Sequence, residues 1–173
     1  MNTVKKGNDF EDKVFKYINT ELLNDRLHVS RKRSKAYQKK DYFSKDRQAT
    51  IITDISIETF LPDASDYSLL TVIECKDYNS AIPVNDIEEF HSKVQQIAGD
   101  NVKAIFVTNA VLQKSALNYA KSKGIAVIRY LPDNQVKLLL QFMTYDTIFQ
   151  QETLDPSEFN SAFLNQEHQS SGR

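Results

Sequence analysis

The sequence predicts an α/β fold in which a mixed β-sheet is flanked by helices. Apolar residues first recur with the 3.6-residue period of a helix, then form two strand-like runs joined by a short polar turn. Two further strand-like runs follow, each preceded by a helical segment. The turn predicts an antiparallel pair, and the helical connections predict parallel pairs. We expect one domain over residues 1–150, with the order α-β-β-β-α-β-α-β, and a polar tail at residues 151–173 that is disordered or forms a peripheral helix.

The first predicted element is a helix over residues 4–24. Glu11 lies beside its apolar stripe, so the carboxylate is expected at the edge of the core rather than in open solvent. An ordinary exposed helix carboxylate is the alternative interpretation. The stripe consists of Phe10, Val14, Phe15, Ile18 and Leu22.

The predicted sheet begins with a short strand at residues 29–33 and continues with a strand at residues 49–60, which carries Asp54. Residues 61–66 contain a proline, two aspartates and a serine, so they form a turn. Residues 68–75 are apolar almost throughout. Such a run indicates a strand that is buried on both faces, at the centre of the sheet.

The second half of the sequence alternates helices and strands. A helix is expected from Asn85, an N-cap with Glu88 at capping-box spacing, to Gly99. Residues 103–109 form a strand, residues 114–123 form a helix closed by Gly124, and residues 125–131 form another strand. Residues 136–149 are apolar without a clear period, and a helix is the preferred interpretation.

Composition excludes several classes of protein. Hydrophobic residues make up 40% of the chain and the net charge is −1, as in ordinary globular domains. No apolar run approaches the roughly 20 residues that a membrane span needs, so we expect no membrane association. The single cysteine excludes an internal disulfide and favours the cytoplasm. With four glycines and no phosphate-binding loop, a nucleotide-driven motor is excluded.

A basic segment lies between residues 29 and 49, where eight cationic side chains outnumber two aspartates. Tyr37, Tyr42 and Phe43 are interleaved with these charges, which is typical of surfaces that contact phosphates and sugars. A solvated loop is the alternative interpretation. The predicted nucleic-acid-binding residues are Arg31, Lys32, Arg33, Lys35, Lys39, Lys40, Lys45 and Arg47.

The candidate catalytic residues lie at the end of the central strand. Glu74 and Lys76 project to the same face because strand side chains alternate. A plain salt bridge would also explain this pair, and the same spacing occurs by chance at Glu11 and Lys13. The hairpin, however, brings the Asp54 carboxylate near Glu74, and the two would repel each other unless a cation lies between them. Mg²⁺ suits such a site because it prefers carboxylate oxygens, water and substrate phosphates.

Further roles follow from this placement. Lys76 would orient a metal-bound water and stabilise negative charge that develops on the phosphate. The backbone carbonyl of Cys75 would add an oxygen ligand, whereas its thiol points to the opposite face and is interpreted as a core residue. Glu11 is a candidate outer partner, or a ligand for a second ion.

In this order, these segments resemble the PD-(D/E)xK nuclease superfamily and look most similar to its Mrr-like restriction endonuclease domains. The likeness covers about residues 7–130. It rests on the segments Asp54-Ile-Ser-Ile-Glu58 and Ile73-Glu-Cys-Lys-Asp-Tyr78, followed by the helix that begins Val84-Asn-Asp-Ile and the strand Lys103-Ala-Ile-Phe-Val-Thr-Asn109. Thr53 stands where the superfamily's proline is often found.

The resemblance implies a restriction-endonuclease-like fold that hydrolyses DNA with Mg²⁺, or with Mn²⁺ in its place. It assigns the metal ligands to Asp54 and Glu74, the catalytic lysine to Lys76 and the first-helix carboxylate to Glu11. It also implies a supporting glutamine on the helix that follows, and either Gln95 or Gln96 fits that position.

Two other functions use the same residues. One is a structure-selective nuclease for DNA repair or junction resolution. The other is a DNA-binding or interaction module that has lost catalysis, although all three residues of the catalytic set are present. The sequence shows no separate DNA-reading domain, so specificity is low or comes from a specificity subunit. A homodimer would bring two sites to the two strands of a duplex.

Overall fold

The computed structural model describes residues 3–99, 101–131 and 136–140, which form three α-helices and eight β-strands. The helices are α1 (Thr3–Leu23), α2 (Val84–Ala98) and α3 (Lys114–Ser122). The strands are β1 (Ser34–Gln38), β2 (Asp41–Ser44), β3 (Ala49–Ile52), β4 (Ile55–Thr59), β5 (Leu69–Lys76), β6 (Val102–Thr108), β7 (Ala126–Tyr130) and β8 (Val136–Leu140).

Six strands form one mixed sheet in the order β1-β4-β5-β6-β7-β8. β4 is antiparallel to both β1 and β5, while β5, β6 and β7 run parallel to one another. The predicted fold class is confirmed, together with the antiparallel hairpin and the parallel crossovers. Strands β2 and β3 form a separate hairpin between β1 and β4, which the predicted element order does not contain.

Helix α1 packs on one face of the sheet through the predicted apolar stripe. Val14 and Ile18 are buried in one core cluster with Ile57, Ile73 and Val107 of three neighbouring strands. Burying such a side chain contributes roughly 1.5–3 kcal/mol to folding. This packing fixes the height and rotation of α1 against the sheet, and with them the position of Glu11.

Helix α2 and the β2–β3 hairpin pack on side chains that alternate with that core and so lie on the opposite face. Phe90 of α2 contacts Phe106 of β6, with ring centroids 5.9 Å apart. Tyr42 of the hairpin donates a hydrogen bond to Glu58 of β4 at 3.0 Å, and Lys40 pairs with the same carboxylate at 2.5 Å. Glu58 is only 4% exposed, so these two partners offset the cost of burying its charge.

Residues 49–60 form two strands, and the prediction of one continuous strand is wrong. The N–H of Thr53 donates to the Lys40 carbonyl at 2.9 Å, and the N–H of Lys39 donates to the Asp54 carbonyl at 3.0 Å. Lys39 adopts a left-handed conformation with φ of 53°. The chain bends at this point and the hairpin leaves the sheet. The alternating pattern runs through the bend unchanged, so the sequence does not reveal it.

Two other predicted elements are wrong. The predicted strand at residues 29–33 is replaced by a 3-10 turn, Arg31–Arg33, which Ser30 caps through its side chain. The predicted helix at residues 136–149 is contradicted where the structure describes it, because Val136–Leu140 pairs antiparallel with β7. An apolar run of this length has no distinguishing period, and the open edge of β7 decides its conformation.

The predicted ends of helices α2 and α3 are confirmed. Gly99 and Gly124 have positive φ of 57° and 64°, as expected of glycines that follow a helix. Helix α2, however, begins at Val84 after Pro83, with no side-chain cap, so Asn85 is not its N-cap.

The described residues belong to one compact unit, Met1–Phe142. The predicted domain end at residue 150 and the tail at residues 151–173 lie outside the described residues. None of the described helices combines the length and apolar character that crossing a membrane requires.

Candidate active site

Asp54, Glu74 and Lys76 meet where the bend before β4 adjoins the carboxyl end of β5. Ile55 pairs with Ile73 in the antiparallel register. Asp54, one residue before Ile55, therefore lies beside Glu74, one residue after Ile73. Ile73 and Cys75 belong to the core under α1, and the alternating Glu74 and Lys76 therefore project to the opposite face. The structure brings together the three residues that the sequence singled out.

The Asp54 carboxylate is held by the backbone of β5. Its Oδ2 accepts a hydrogen bond from the N–H of Cys75 at 2.9 Å, and its Oδ1 lies 3.3 Å from the Lys39 ammonium. A carboxylate that accepts from a backbone N–H has a fixed position relative to that strand. The interaction links the bend before β4 to the residue between Glu74 and Lys76.

The Glu74 carboxylate lies between two lysines. Its Oε1 is 3.4 Å from Nζ of Lys76, and its Oε2 is 2.8 Å from Nζ of Lys93 on α2. Glu74 is 9% exposed, and each of its two carboxylate oxygens has a lysine ammonium as its partner in place of bulk water. Lys93 is not among the site residues predicted from the sequence. The one signal for it was its position three residues after the buried Phe90, on the inner side of an amphipathic helix.

Glu11 reaches the same site from α1. Its carboxylate forms an ion pair with Lys39, which also contacts Asp54, so one ammonium bridges the two carboxylates. The side chain is 12% exposed, which confirms the predicted position at the edge of the core. The exposed-carboxylate alternative is therefore wrong.

Burial and neighbouring charges set the pKa values of the groups around the site. Burial raises the pKa of Glu11, and the nearby Asp54 and Glu74 raise it further, against the opposing effect of Lys39. Burial lowers the pKa of Lys76, but Glu74 and Tyr78 outweigh it and the net pKa lies above its usual value. Burial also lowers the pKa of Lys39, but Glu11 and Asp54 outweigh it and the net pKa lies above its usual value. Glu74 therefore stabilises the protonated form of Lys76.

The donors fit a Mg²⁺ ion that is shared with a substrate. Within the described ranges, no three Asp, Glu, His or Cys side chains form a group that could hold a metal by themselves. Mg²⁺ commonly takes one or two protein carboxylates and completes its octahedron with water and substrate phosphates. Asp54 and Glu74 supply two carboxylates side by side, with the surrounding lysines balancing their charge. A closed structural metal site is not what these residues form.

The chain that follows Lys76 is fastened to α1 and to the end of β6. Asp77 pairs with Lys6 of α1 at 3.1 Å and accepts a hydrogen bond from the side-chain amide of Asn109 at 2.5 Å. The N–H of Tyr78 donates to the same Asn109 side chain at 2.9 Å. These contacts fix the end of β5 and also anchor α1 at Lys6, about one and a half turns before Glu11.

The predicted basic segment does not form one continuous patch. Lys39 and Lys40 lie at the bend and pair with carboxylates. Strand β1, five residues or roughly 17 Å long, separates the bend from the 3-10 turn. The eight residues fall into three groups: Arg31, Lys32, Arg33 and Lys35 at the start of β1, Lys39 and Lys40 at the bend, and Lys45 and Arg47 at the tip of the hairpin.

Neither candidate glutamine contacts Glu74, Asp54 or Lys76 among the interactions of the described residues. The side-chain amide of Gln95 lies 3.5 Å from the Gly99 carbonyl. Gln96 accepts a hydrogen bond from Arg47 at 2.7 Å and helps to hold the hairpin tip on α2. The residue of α2 that reaches the site is Lys93.

The fold is of the restriction-endonuclease-like class. The chain belongs to the Mrr_cat restriction endonuclease family, whose sequence profile matches residues 7–131. That match includes all but the first turn of α1, the bend with Asp54, the whole of β5 and α2. No curated protein matches the sequence.

Two of the solved structures that are similar to part of this chain are the following. A protein of unknown function named AF1548 is 13% identical, with a TM-score of 0.48, over 68% of this chain and 56% of its own. A repair endonuclease from Pyrococcus abyssi is 17% identical, with a TM-score of 0.43, over 67% of this chain and 46% of its own. The chain thus spans about half the length of each.

The placement of Cys75 offers a direct test of the strand register at the site. Burial raises the pKa of its thiol well above the usual value, so little thiolate forms near pH 8. We expect this single cysteine to react with a thiol reagent at least about tenfold more slowly in the native protein than in urea. Ser115→Cys, exposed on α3, is the control and should react in the native protein at the unfolded rate. Equal rates at the two positions would mean that Cys75 does not lie in the core under α1.

Proposed function

We propose that this protein is a Mg²⁺- or Mn²⁺-dependent endonuclease that hydrolyses DNA phosphodiester bonds, of the Mrr-like restriction and defence type. The observation that carries the proposal is the fixed pair of carboxylates, Asp54 and Glu74, with the Lys76 ammonium 3.4 Å from Glu74. A structural salt bridge needs one carboxylate and one lysine. Here Asp54 is also brought in and bonded to the strand backbone between Glu74 and Lys76.

Asp54 and Glu74 would hold the cation, and the carbonyl of Cys75 is the proposed third protein ligand. When bound, the cation lowers the pKa of a coordinated water and polarises the phosphoryl oxygen. The hydrogen bond from the Cys75 N–H would keep one oxygen of Asp54 in place while the other oxygen exchanges the Lys39 ammonium for the cation. The bend and the strand end therefore act as one preformed site.

Lys76 acts as a cation in this mechanism. It would orient the attacking water and stabilise the charge that develops on the phosphate. Its side chain is 30% exposed, which leaves the ammonium accessible to a substrate phosphate. Glu11 is proposed as an outer partner that holds Lys39 near Asp54, or as a ligand for a second ion.

DNA is the proposed substrate, and the basic residues provide its phosphate contacts. Arg31, Lys32, Arg33 and Lys35 are exposed at the start of β1 and would contact flanking backbone, away from the scissile phosphate. Lys39 at the bend lies next to the site. A homodimer would supply two sites for the two strands of a duplex, and a separate specificity subunit would supply sequence recognition.

Neutralising the catalytic set should abolish cleavage. We expect Asp54→Asn, Glu74→Gln and Lys76→Met each to lower the rate of plasmid cleavage in Mg²⁺ at least about 100-fold, because each removes a ligand or a charge needed in the transition state. The measurement is the conversion of supercoiled plasmid, with EDTA as a second negative control. Lys114→Met, an exposed lysine on α3, should cut at the original rate.

Plain, methylated and branched DNA should be compared in the same assay. Cleavage of branched DNA alone would identify a junction-resolving or repair nuclease. If the unmodified protein cuts none of them with Mg²⁺ or Mn²⁺, or if the three variants cut as fast as it does, the proposed reaction is wrong and the inactive-module function replaces it.

Substitutions at the start of β1 should weaken DNA binding without slowing the cleavage step. We expect Lys32→Ala combined with Arg33→Ala to weaken duplex binding in EDTA and to lower the salt dependence by about two ion equivalents, since each lost phosphate contact removes about one. Cleavage at saturating DNA should stay within about twofold, because these residues lie roughly 17 Å from the bend. The affinity is measured by fluorescence anisotropy across a salt series.

The matched control for this pair is Lys121→Ala combined with Lys123→Ala at the end of α3, which should leave both the affinity and the salt dependence unchanged. An unchanged salt dependence in the Lys32 and Arg33 variant would remove this group from the DNA contact surface.

A further inference from the structure

Lys93 makes the shorter of the two ion pairs with Glu74. Its Nζ lies 2.8 Å from Oε2, compared with 3.4 Å from Lys76 to Oε1. Its side chain is 18% exposed and that of Lys76 is 30% exposed. The lysine supplied by the helix is thus closer to the carboxylate, and more enclosed, than the lysine of the strand.

The position of Lys93 on α2 is not that of an ordinary surface lysine. The buried side of the helix carries Ile87, Phe90 and Val94, and Lys93 lies three residues after Phe90 and directly before Val94. An ammonium at the edge of an apolar helix face costs desolvation unless a partner compensates it. Its partner belongs to a different element, so this contact is not one of the weak pairs along a single helix surface.

Each of three carboxylates at the site is paired with a lysine, and Glu74 is paired with two. Lys39 pairs with Glu11 and Asp54, while Lys76 and Lys93 pair with Glu74. Removing Lys93 would take away one positive charge next to the place where a cation is proposed to bind. It would also free Oε2 of Glu74 to rotate.

We propose that Lys93 is a positioning residue of the active site, which holds Oε2 of Glu74 so that Oε1 is the oxygen offered beside Lys76. This rests on the proposed function of Glu74 as a metal ligand. Lys93 has two opposing consequences: its charge weakens binding of a divalent cation, and its contact keeps the ligand oriented for catalysis. Loss of the ammonium therefore strengthens cation binding and slows the reaction, a combination that a merely structural ion pair does not produce.

The test compares Lys93→Met with the conservative Lys93→Arg and with Lys114→Met as the control on α3. The probe is Mn²⁺ alone, and its dissociation constant without DNA is measured by electron paramagnetic resonance. We expect Lys93→Met to bind Mn²⁺ at least about threefold more tightly, because a cation close to the ligand oxygen is gone. Its single-turnover cleavage at saturating Mn²⁺ should fall at least about tenfold, because the ligand is no longer oriented.

Lys93→Arg should stay within about twofold of the unmodified protein in both measurements, since it keeps the charge and the reach. Lys114→Met should change neither. An Mn²⁺ affinity in Lys93→Met that is unchanged or weaker would overturn the proposal, as would unchanged cleavage. If Lys93→Met fails to fold by urea titration, Lys93→Gln replaces it with the same two expectations.

A second comparison separates this proposal from the proposed function. On a Glu74→Gln background, Lys93→Met should no longer tighten Mn²⁺ binding, because the charge that Lys93 balances is already removed. An unmodified protein that binds Mn²⁺ but cuts no DNA would contradict the endonuclease while leaving the effect of Lys93 on Mn²⁺ affinity decisive. Tightening that persists on the Glu74→Gln background would show that Lys93 acts without Glu74, and would overturn the proposal.

Discussion

The hydrogen bond from the Cys75 N–H to Oδ2 of Asp54, 2.9 Å long, is the interaction on which the site depends. Asp54 lies outside the strands, at a bend, where its carbonyl accepts a hydrogen bond from the N–H of Lys39 at 3.0 Å while its side chain depends on other contacts. The bond ties its carboxylate to the strand residue whose neighbours are Glu74 and Lys76. Without it, the two carboxylates would be free to separate under their mutual repulsion. Apolar packing under Cys75 in turn holds that N–H in place.

Charge balance is the second constraint. Carboxylates placed side by side at the edge of a core need compensation, and lysines from three different elements supply it: Lys39 from the bend, Lys76 from β5 and Lys93 from α2. A divalent cation would have to displace or share these partners. The same lysines that stabilise the resting site therefore oppose cation binding, and they become available to the phosphates of a substrate.

The sequence was sufficient for the fold class and for the central residues because both rest on local periodicity. Alternation along β5 places Glu74 and Lys76 on one face, and the hairpin register then brings in Asp54. The bend at Thr53 and Asp54 escaped prediction because the apolar alternation continues through it. Lys93 and the pairing of Lys39 with Glu11 escaped because they depend on how helices are placed over the sheet. Gln95 and Gln96 fit a family pattern, but the helix turns Lys93 toward Glu74 instead.

Asp54 and Glu74 are proposed to share one cation. Crystals soaked in Mn²⁺ would test this through the anomalous difference map. We expect a peak within coordination distance of one oxygen from each carboxylate, roughly 2.0–2.3 Å, with Lys39 withdrawn from Asp54. A map with no peak there, or with a peak that contacts neither carboxylate while Lys39 and Lys93 keep their ion pairs, would contradict it.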